Sequence, residues 1–220
     1  MSTQRGKARA LGKTASEKVF KSDLERYRQF VLDLGASGAA IIPARDVSVD
    51  ERVRLKCLVP RCLRAGETPN CPPNAPSLDL VRKALSLYHR AILVKTDVKP
   101  IADYAPKKTG TKEEQRKTLF FHQKTAEIVY KLECQAYKDG YHLAMGLGGG
   151  SCKDYLCQGL TCQFLDSGRC RFPQRARPAM EAMGIDVTTL INKAGWNVYA
   201  LVDDLDCIPC AISVGIVFIA

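Results

Sequence analysis

Seven of the ten cysteines in this chain fall in two short segments. The two groups are Cys57, Cys62 and Cys71, and Cys152, Cys157, Cys162 and Cys170. Thiols at this density are typical ligands of zinc or of iron–sulfur clusters. The sequence therefore predicts a metal site, and the fold could bring its two halves together.

The spacing within the second group favours one metal type over the other. Structural zinc sites usually carry paired C-x2-4-C motifs, whereas this group has gaps of four, four and seven residues. Three closely spaced thiols and a fourth further along suit the corners of a cuboidal cluster. We predict a [4Fe–4S] cluster on Cys152, Cys157, Cys162 and Cys170, with zinc as the alternative.

The first group offers three local ligands for a second cluster. Cys71 is followed by Pro72, and a proline after a cysteine is common where a cluster loop ends. The fourth ligand could be Cys134, Cys207, Cys210 or a residue other than cysteine. An iron without a fourth protein ligand could instead act as a Lewis acid on a small molecule.

The glycines before Cys152 have a structural interpretation. Gly146, Gly148, Gly149 and Gly150 let the backbone approach the sulfurs closely and direct N–H groups at them. A dinucleotide or phosphate loop fits poorly, because the third glycine of that fingerprint and a following Lys-Ser/Thr are both missing.

Three histidines and three further cysteines lie outside the two cysteine groups. We expect His89 and His122 at the surface and His142 as a structural residue on a strand. Cys134 should lie in the core, and Cys207 and Cys210 should be ligands or buried thiols because no thioredoxin context surrounds them.

Helical and strand patterns alternate along the chain. Together they predict an α/β protein with a mixed β-sheet flanked by helices, in which both cysteine-rich metal-binding loops extend from strand ends. We expect a disordered basic tail over residues 1–15 and a single domain over 16–220. The predicted helices span 16–34, 77–88, 111–137, 178–184 and 187–195, and the predicted strands span 39–43, 91–94, 141–145, 197–202 and 213–219.

Composition limits the class of protein and the cellular compartment that the sequence predicts. The 220 residues are 46% hydrophobic, so the chain can bury a core without disulfides. The first twenty residues lack the apolar segment of a signal peptide, and the apolar end, residues 211–220, is too short to span a membrane. We therefore expect no membrane association and a reducing cytoplasm, where clustered cysteines favour metal binding.

A net charge of +10 suits an acidic partner. The basic residues close to the cysteines in sequence would stabilise a reduced cluster and attract an acidic redox protein. They are Lys56, Arg61, Arg64, Lys153, Arg169, Arg171, Arg175 and Arg177. Nucleic acid is disfavoured, since the chain has one Trp and no basic–aromatic motif.

Three blocks of sequence resemble a known family. They are Lys56 to Pro73 with the helix that follows, the glycine-led segment from Cys152 to Cys170, and Cys170-Arg-Phe-Pro173 running into residues 176–187. Over residues 20–220 the chain is similar to predicted metal-binding proteins of the domain of unknown function 2284. That resemblance implies an iron–sulfur protein of anaerobic or archaeal-type metabolism and supplies no established reaction.

These observations leave three functional hypotheses. The first is electron transfer to or from a redox partner through one or two [4Fe–4S] clusters. The second is an enzyme whose three-cysteine cluster has an open iron and acts on a small-molecule substrate. The third is a structural zinc protein that binds nucleic acid.

Overall fold

One four-stranded sheet forms the centre of the molecule. The computed structural model describes residues 9–12, 15–99, 101, 121–200, 202 and 204–220. The strands lie in the order β1-β2-β4-β3, and all three pairings are antiparallel. They are β1 (Gly38–Pro43), β2 (Arg90–Val98), β3 (Met145–Leu147) and β4 (Ala211–Phe218).

Seven α-helices are present in the described part of the chain. They are α1 (Glu17–Asp33), α2 (Glu51–Leu55), α3 (Leu78–Leu85), α4 (Gln123–Lys138), α5 (Cys152–Tyr155), α6 (Gln163–Ser167) and α7 (Val187–Lys193). Short 3-10 helices span Ala44–Asp46, Glu181–Met183 and Leu205–Cys207. None of the helices described is long and apolar enough to cross a membrane.

Local signals fix several helix ends. The Ser16 and Ser77 side chains accept hydrogen bonds from the first turns of α1 and α3. Gly35 has a φ of +93° after α1, and its N–H bonds to the Leu32 carbonyl. Because a left-handed residue favours glycine, the chain leaves α1 at that position.

The sheet is covered on both faces. Along β2, Ala91 and Leu93 pack on one face with Met180, Met183 and Ile185, together with apolar residues of α3 and α7. Ile92 and Val94 pack on the other face against α1 and α4. Both side-chain directions of this strand are therefore buried, which explains its continuous apolar sequence.

The predicted α/β class is confirmed, with differences in detail. The sheet is antiparallel where a mixed sheet was expected, and a parallel pairing occurs only as the isolated bridge of Gly148 with Ala179 among the described residues. The second cysteine loop follows β3, as expected, whereas the first follows helix α2. The start of the predicted helix 111–137 lies outside the described residues.

Two predicted strands differ from those in the structure. Residues 196–200 are irregular, and the Val198 and Tyr199 side chains are exposed. The strand expected at 141–145 begins only at Met145, because Tyr141 N–H bonds back to the Ala136 carbonyl and closes α4. β-branched composition alone does not create a strand where no neighbour is available to pair.

Most of the predicted tail is outside the described residues. Arg9, which is described, lies against the domain and forms an ion pair with Asp23.

Candidate metal centre

The first cysteine loop is held in shape by its own backbone. Cys57 N–H bonds to the Arg54 carbonyl and Cys62 N–H to the Cys57 carbonyl, each at 3.0 Å. Cys71 N–H contacts the Thr68 carbonyl at 3.4 Å. Consecutive turns therefore place the three cysteines on one compact segment, with Cys71 buried and Cys62 exposed.

The second loop is organised by two short helices. Ser151 caps α5 and forms a capping box with Asp154, so Cys152 occupies the first helical position. Cys162 precedes α6, which ends at Gly168 with a φ of +73°. Phe172 N–H bonds to the Cys170 sulfur at 3.4 Å, so that thiol is held within its own segment.

The two loops touch at their cysteines. The Cys71 thiol contacts the Ser151 hydroxyl at 3.5 Å, and Asn70 Nδ2 contacts the Cys152 sulfur at 3.5 Å. Cys71 and Cys152 are buried. Segments about eighty residues apart in sequence thus form one surface.

Alternating charges join the loops. Arg64 of the first loop pairs with Asp154 of the second at 2.6 Å and with Glu67 at 2.9 Å. Glu67 in turn accepts from Lys153 at 3.0 Å. Burial raises the pKa of Asp154, and the Arg64 guanidinium partly offsets that rise. This network fixes the relative position of the loops, and it pairs Arg64 and Lys153, two of the basic residues expected to attract an acidic partner, with carboxylates.

Nearby thiols influence one another's ionisation. Burial raises the pKa of Cys152 to about 11; the Asn70 contact opposes the rise, while Cys71, Cys157 and Cys162 add to it. Burial likewise raises the pKa of Cys57, with further contributions from Cys62, Glu181 and Cys71. Six of the seven predicted ligands therefore interact electrostatically, directly or through a neighbour.

A buried cation lies beside the first loop. Arg54 donates from Nη2 to the Pro76 carbonyl at 2.9 Å, and its buried Nε has no hydrogen-bond partner among the described residues. Burial lowers the pKa of Arg54, and the interaction with Cys57 opposes this shift without cancelling it. An unpaired buried donor is costly, so an anionic group at Cys57 would compensate it.

A cavity of about 370 Å³ opens between the loops. Its lining includes all three thiols of the first loop, the Ser151 and Asp154 side chains, and two further ionisable groups, His122 and Glu181. This volume falls within the range of small-ligand sites.

Sequence reasoning placed His122 at the surface, and this was wrong. The ring is half-buried, its Nδ1 lies 2.8 Å from the Ser213 hydroxyl, and burial lowers the pKa of His122 to about 4. A Cβ at Gly149 or Gly150 would lie 2.6 or 2.5 Å from this ring. These two glycines therefore make room for an imidazole, whereas the sequence suggested that they serve the sulfurs. The adjacent glycines were the available signal for such a close contact.

The remaining candidates lie elsewhere. Cys134 interacts with the Tyr130 hydroxyl on α4, Cys207 donates to Asp204 at 3.1 Å, and Cys210 lines a separate small cavity with Ile208. His89 and His142 are exposed, the latter in a turn before β3.

The described side chains do not form a preassembled metal site. No group of three or more Cys, His, Asp or Glu residues among them is arranged to hold a metal ion. The donor set nevertheless fits a thiolate-bound metal, because six thiols are neighbours and an unpartnered Arg54 donor lies beside Cys57. Binding would require the thiols to change orientation, and Cys62 is the exposed member of the first loop.

The fold and the site define an α/β protein in which two cysteine-bearing loops meet at a cavity. The family described as predicted metal-binding protein (DUF2284) matches residues 40–217, and the chain belongs to this family. Metal binding and the resemblance noted in the sequence are thereby supported together. No curated protein and no solved structure matches the chain.

Proposed function

We propose that this protein binds one or two [4Fe–4S] clusters through its two cysteine loops and exchanges electrons with a redox partner. The observation that carries the proposal is the meeting of the loops at Cys71 and Cys152 through Ser151 and Asn70. Cysteines held together in a reducing environment, without disulfide geometry, favour metal ligation. A bound cluster would supply one-electron redox chemistry at this point.

The surrounding side chains would tune such a cluster. Asn70 Nδ2 already donates to the Cys152 sulfur, and hydrogen bonds to cluster sulfurs raise the reduction potential. Arg54 would add positive charge beside Cys57. Both contacts favour the reduced, more negative form.

Anaerobic purification with iron and sulfide analysis, followed by EPR of the reduced protein, tests the proposal. We expect iron and acid-labile sulfide in equal amounts and a reduced-cluster signal. Cys152→Ser should lower both contents, whereas Cys207→Ser, at an exposed thiol bonded to Asp204, should leave them unchanged. A colourless protein that holds stoichiometric zinc would refute the iron–sulfur assignment.

The cavity favours one alternative, an enzyme with an open iron at the three-cysteine loop. Its volume would admit a small molecule next to Cys57, Cys62 and Cys71. This alternative requires that no protein group completes the site, so the two functions differ in their fourth ligand.

A further inference from the structure

His122 is the cavity group whose position is most strongly fixed. Its Nδ1 hydrogen-bonds to the Ser213 hydroxyl, which accepts from Thr125 Oγ1 at 2.8 Å. Thr125 is joined to Thr96 at 2.6 Å. The three hydroxyl-bearing residues are buried, so the chain of hydrogen bonds ties the imidazole to the centre of the sheet.

The ring is also held sterically. One side lies against the backbone of Gly149 and Gly150, and the Phe121 ring lies 3.9 Å away between centroids. Nδ1 is hydrogen-bonded to Ser213, and no hydrogen bond to Nε2 is formed by the described residues. Nε2 is therefore the ring nitrogen available to a partner in the cavity. The same cavity is lined by the three thiols of the first loop.

This arrangement matches the surroundings of metal-bound histidines. Such a histidine uses one ring nitrogen for the metal and the other for a hydrogen bond that sets its orientation. Three thiolates and one imidazole form a common four-ligand set, and imidazole replaces thiolate at some iron–sulfur centres.

We infer that His122 Nε2 is the fourth protein ligand of the site formed by Cys57, Cys62 and Cys71. The inference rests on the proposed metal-binding function and deepens it. Cys134, Cys207 and Cys210 are the competing thiols. Cys134 contacts Tyr130, Cys207 donates to Asp204, and Cys210 lines a different cavity. Glu181 lines the cavity too, but a carboxylate is a harder ligand than imidazole for a thiolate-bound metal. A fourth protein ligand also closes the position that the enzyme alternative requires.

The three histidines provide their own controls. The full chain, labelled with ¹⁵N-histidine, is purified anaerobically and reduced, and pulsed EPR then detects imidazole nitrogen coupled to the cluster. We expect this coupling in the unaltered protein and in His89→Ala and His142→Ala, and its loss in His122→Ala. His122→Cys supplies another ligand and should restore iron content without the nitrogen coupling.

Ser213→Ala tests the positioning of His122 while leaving the imidazole in place. It removes the hydroxyl that orients Nδ1 and should weaken metal binding about 10- to 100-fold.

Iron and sulfide without imidazole coupling, or coupling that persists in His122→Ala, would overturn the inference while sustaining the proposed function. If the protein binds zinc instead, the iron proposal fails, and zinc-edge X-ray absorption reports whether imidazole is bound. If it binds neither metal, both proposals fail.

Discussion

Individual side chains decide how the cysteine loops are positioned. Asp154 is buried and accepts from Arg64 while capping its own helix, so one carboxylate stabilises α5 and holds the first loop against the second. The cysteines themselves contribute only the weak contacts at Ser151 and Asn70. The loops should therefore stay together without a metal.

The adjacent glycines Gly148 and Gly149 give a matched test of the His122 contact. Gly149→Ala should destabilise the protein by about 1–3 kcal/mol, because the new methyl group would lie 2.6 Å from His122 Nδ1. Gly148→Ala meets no atom within 4 Å and should change stability little. Urea unfolding measures both, and equal effects would contradict a specific contact with the ring.

The Arg64–Asp154 pair should contribute measurable coupling. A double-mutant cycle with Arg64→Met and Asp154→Asn is expected to give an interaction energy of about 0.5–3 kcal/mol. The exposed pair of Lys21 with Glu17 is the control and should give a much weaker coupling, because solvent screens it. Coupling as small as in the control would mean that Arg64 is satisfied by Glu67 alone.

Sequence reasoning succeeded for residues whose signal is local. Clustered cysteines are visible without a structure because their spacing is itself the signal. His122 was misjudged because its burial depends on Ser213, ninety-one residues away, and on a glycine pair in a third segment. Arg54 gave no signal, since burial of an arginine depends on what packs over it.

At the level of elements, α1 and α4 are joined by polar contacts as well as apolar packing. Asp23 of α1 is buried and accepts from Arg26 at 2.8 Å and from Tyr141, just beyond α4, at 2.7 Å. Tyr27 of α1 donates to Asp139 at the end of α4. These bonds fix the angle between the two helices that cover one face of the sheet.

Asp23 should make stability depend on pH in acid. Burial opposes its ionisation, but hydrogen bonds from Arg9, Arg26 and Tyr141 outweigh burial and lower the pKa of Asp23. The stabilisation is therefore complete above the unfolded pKa of about 4 and is lost as the pH falls through the lower folded value. Asp23→Asn should remove this part of the pH dependence in unfolding curves between pH 2 and 6. Asp33→Asn, at an exposed position of α1, should preserve it.

The hydroxyl network should be needed to dock α4 on the sheet. Thr125→Val keeps the shape of the side chain but leaves the Thr96 hydroxyl without this buried partner and the Ser213 hydroxyl with His122 alone, at a cost of about 1–3 kcal/mol. Thr188→Val on the exposed side of α7 should cost less than about 0.5 kcal/mol. Chemical denaturation compares them, and a neutral Thr125→Val would argue against the network.

Elements with end signals were predicted best. Ser16, Ser77 and Gly35 act through neighbours in sequence, so they identify α1 and α3 in isolation. Pairing direction and the irregular segment at 196–200 depend on which strands meet, and this is decided by packing of the whole sheet.

At the scale of the whole molecule, only part of the positive charge behind the net +10 is exposed and able to attract a partner. Arg64, Arg175 and Arg177 pair with carboxylates, whereas Arg169 and Arg171 on the second loop are exposed. If an acidic carrier docks at the cysteine loops, these two exposed arginines are the residues that would attract it.

The association rate should report that attraction. Arg169→Glu should slow electron transfer from an acidic ferredoxin-like carrier several-fold at low ionic strength, with the difference vanishing at high salt because charges are screened. Arg28→Glu on α1 makes the same change in net charge on a helix that covers the sheet, away from the loops. Stopped-flow rates across a salt series distinguish local attraction from net charge; equal slowing by both variants would indicate net charge alone.

The separation of the two loops along the chain also sets an order of events during synthesis. Arg64 and its partner Asp154 are ninety residues apart, so at about 5–20 residues per second the first loop leaves the ribosome roughly 5–18 s before the second. During that interval Cys57, Cys62 and Cys71 lack the Ser151 and Asp154 contacts that position them. A metal that needs both loops would therefore be bound only after the second loop has emerged, and we expect the nascent first loop to be the form most exposed to oxidation or to capture of the wrong metal.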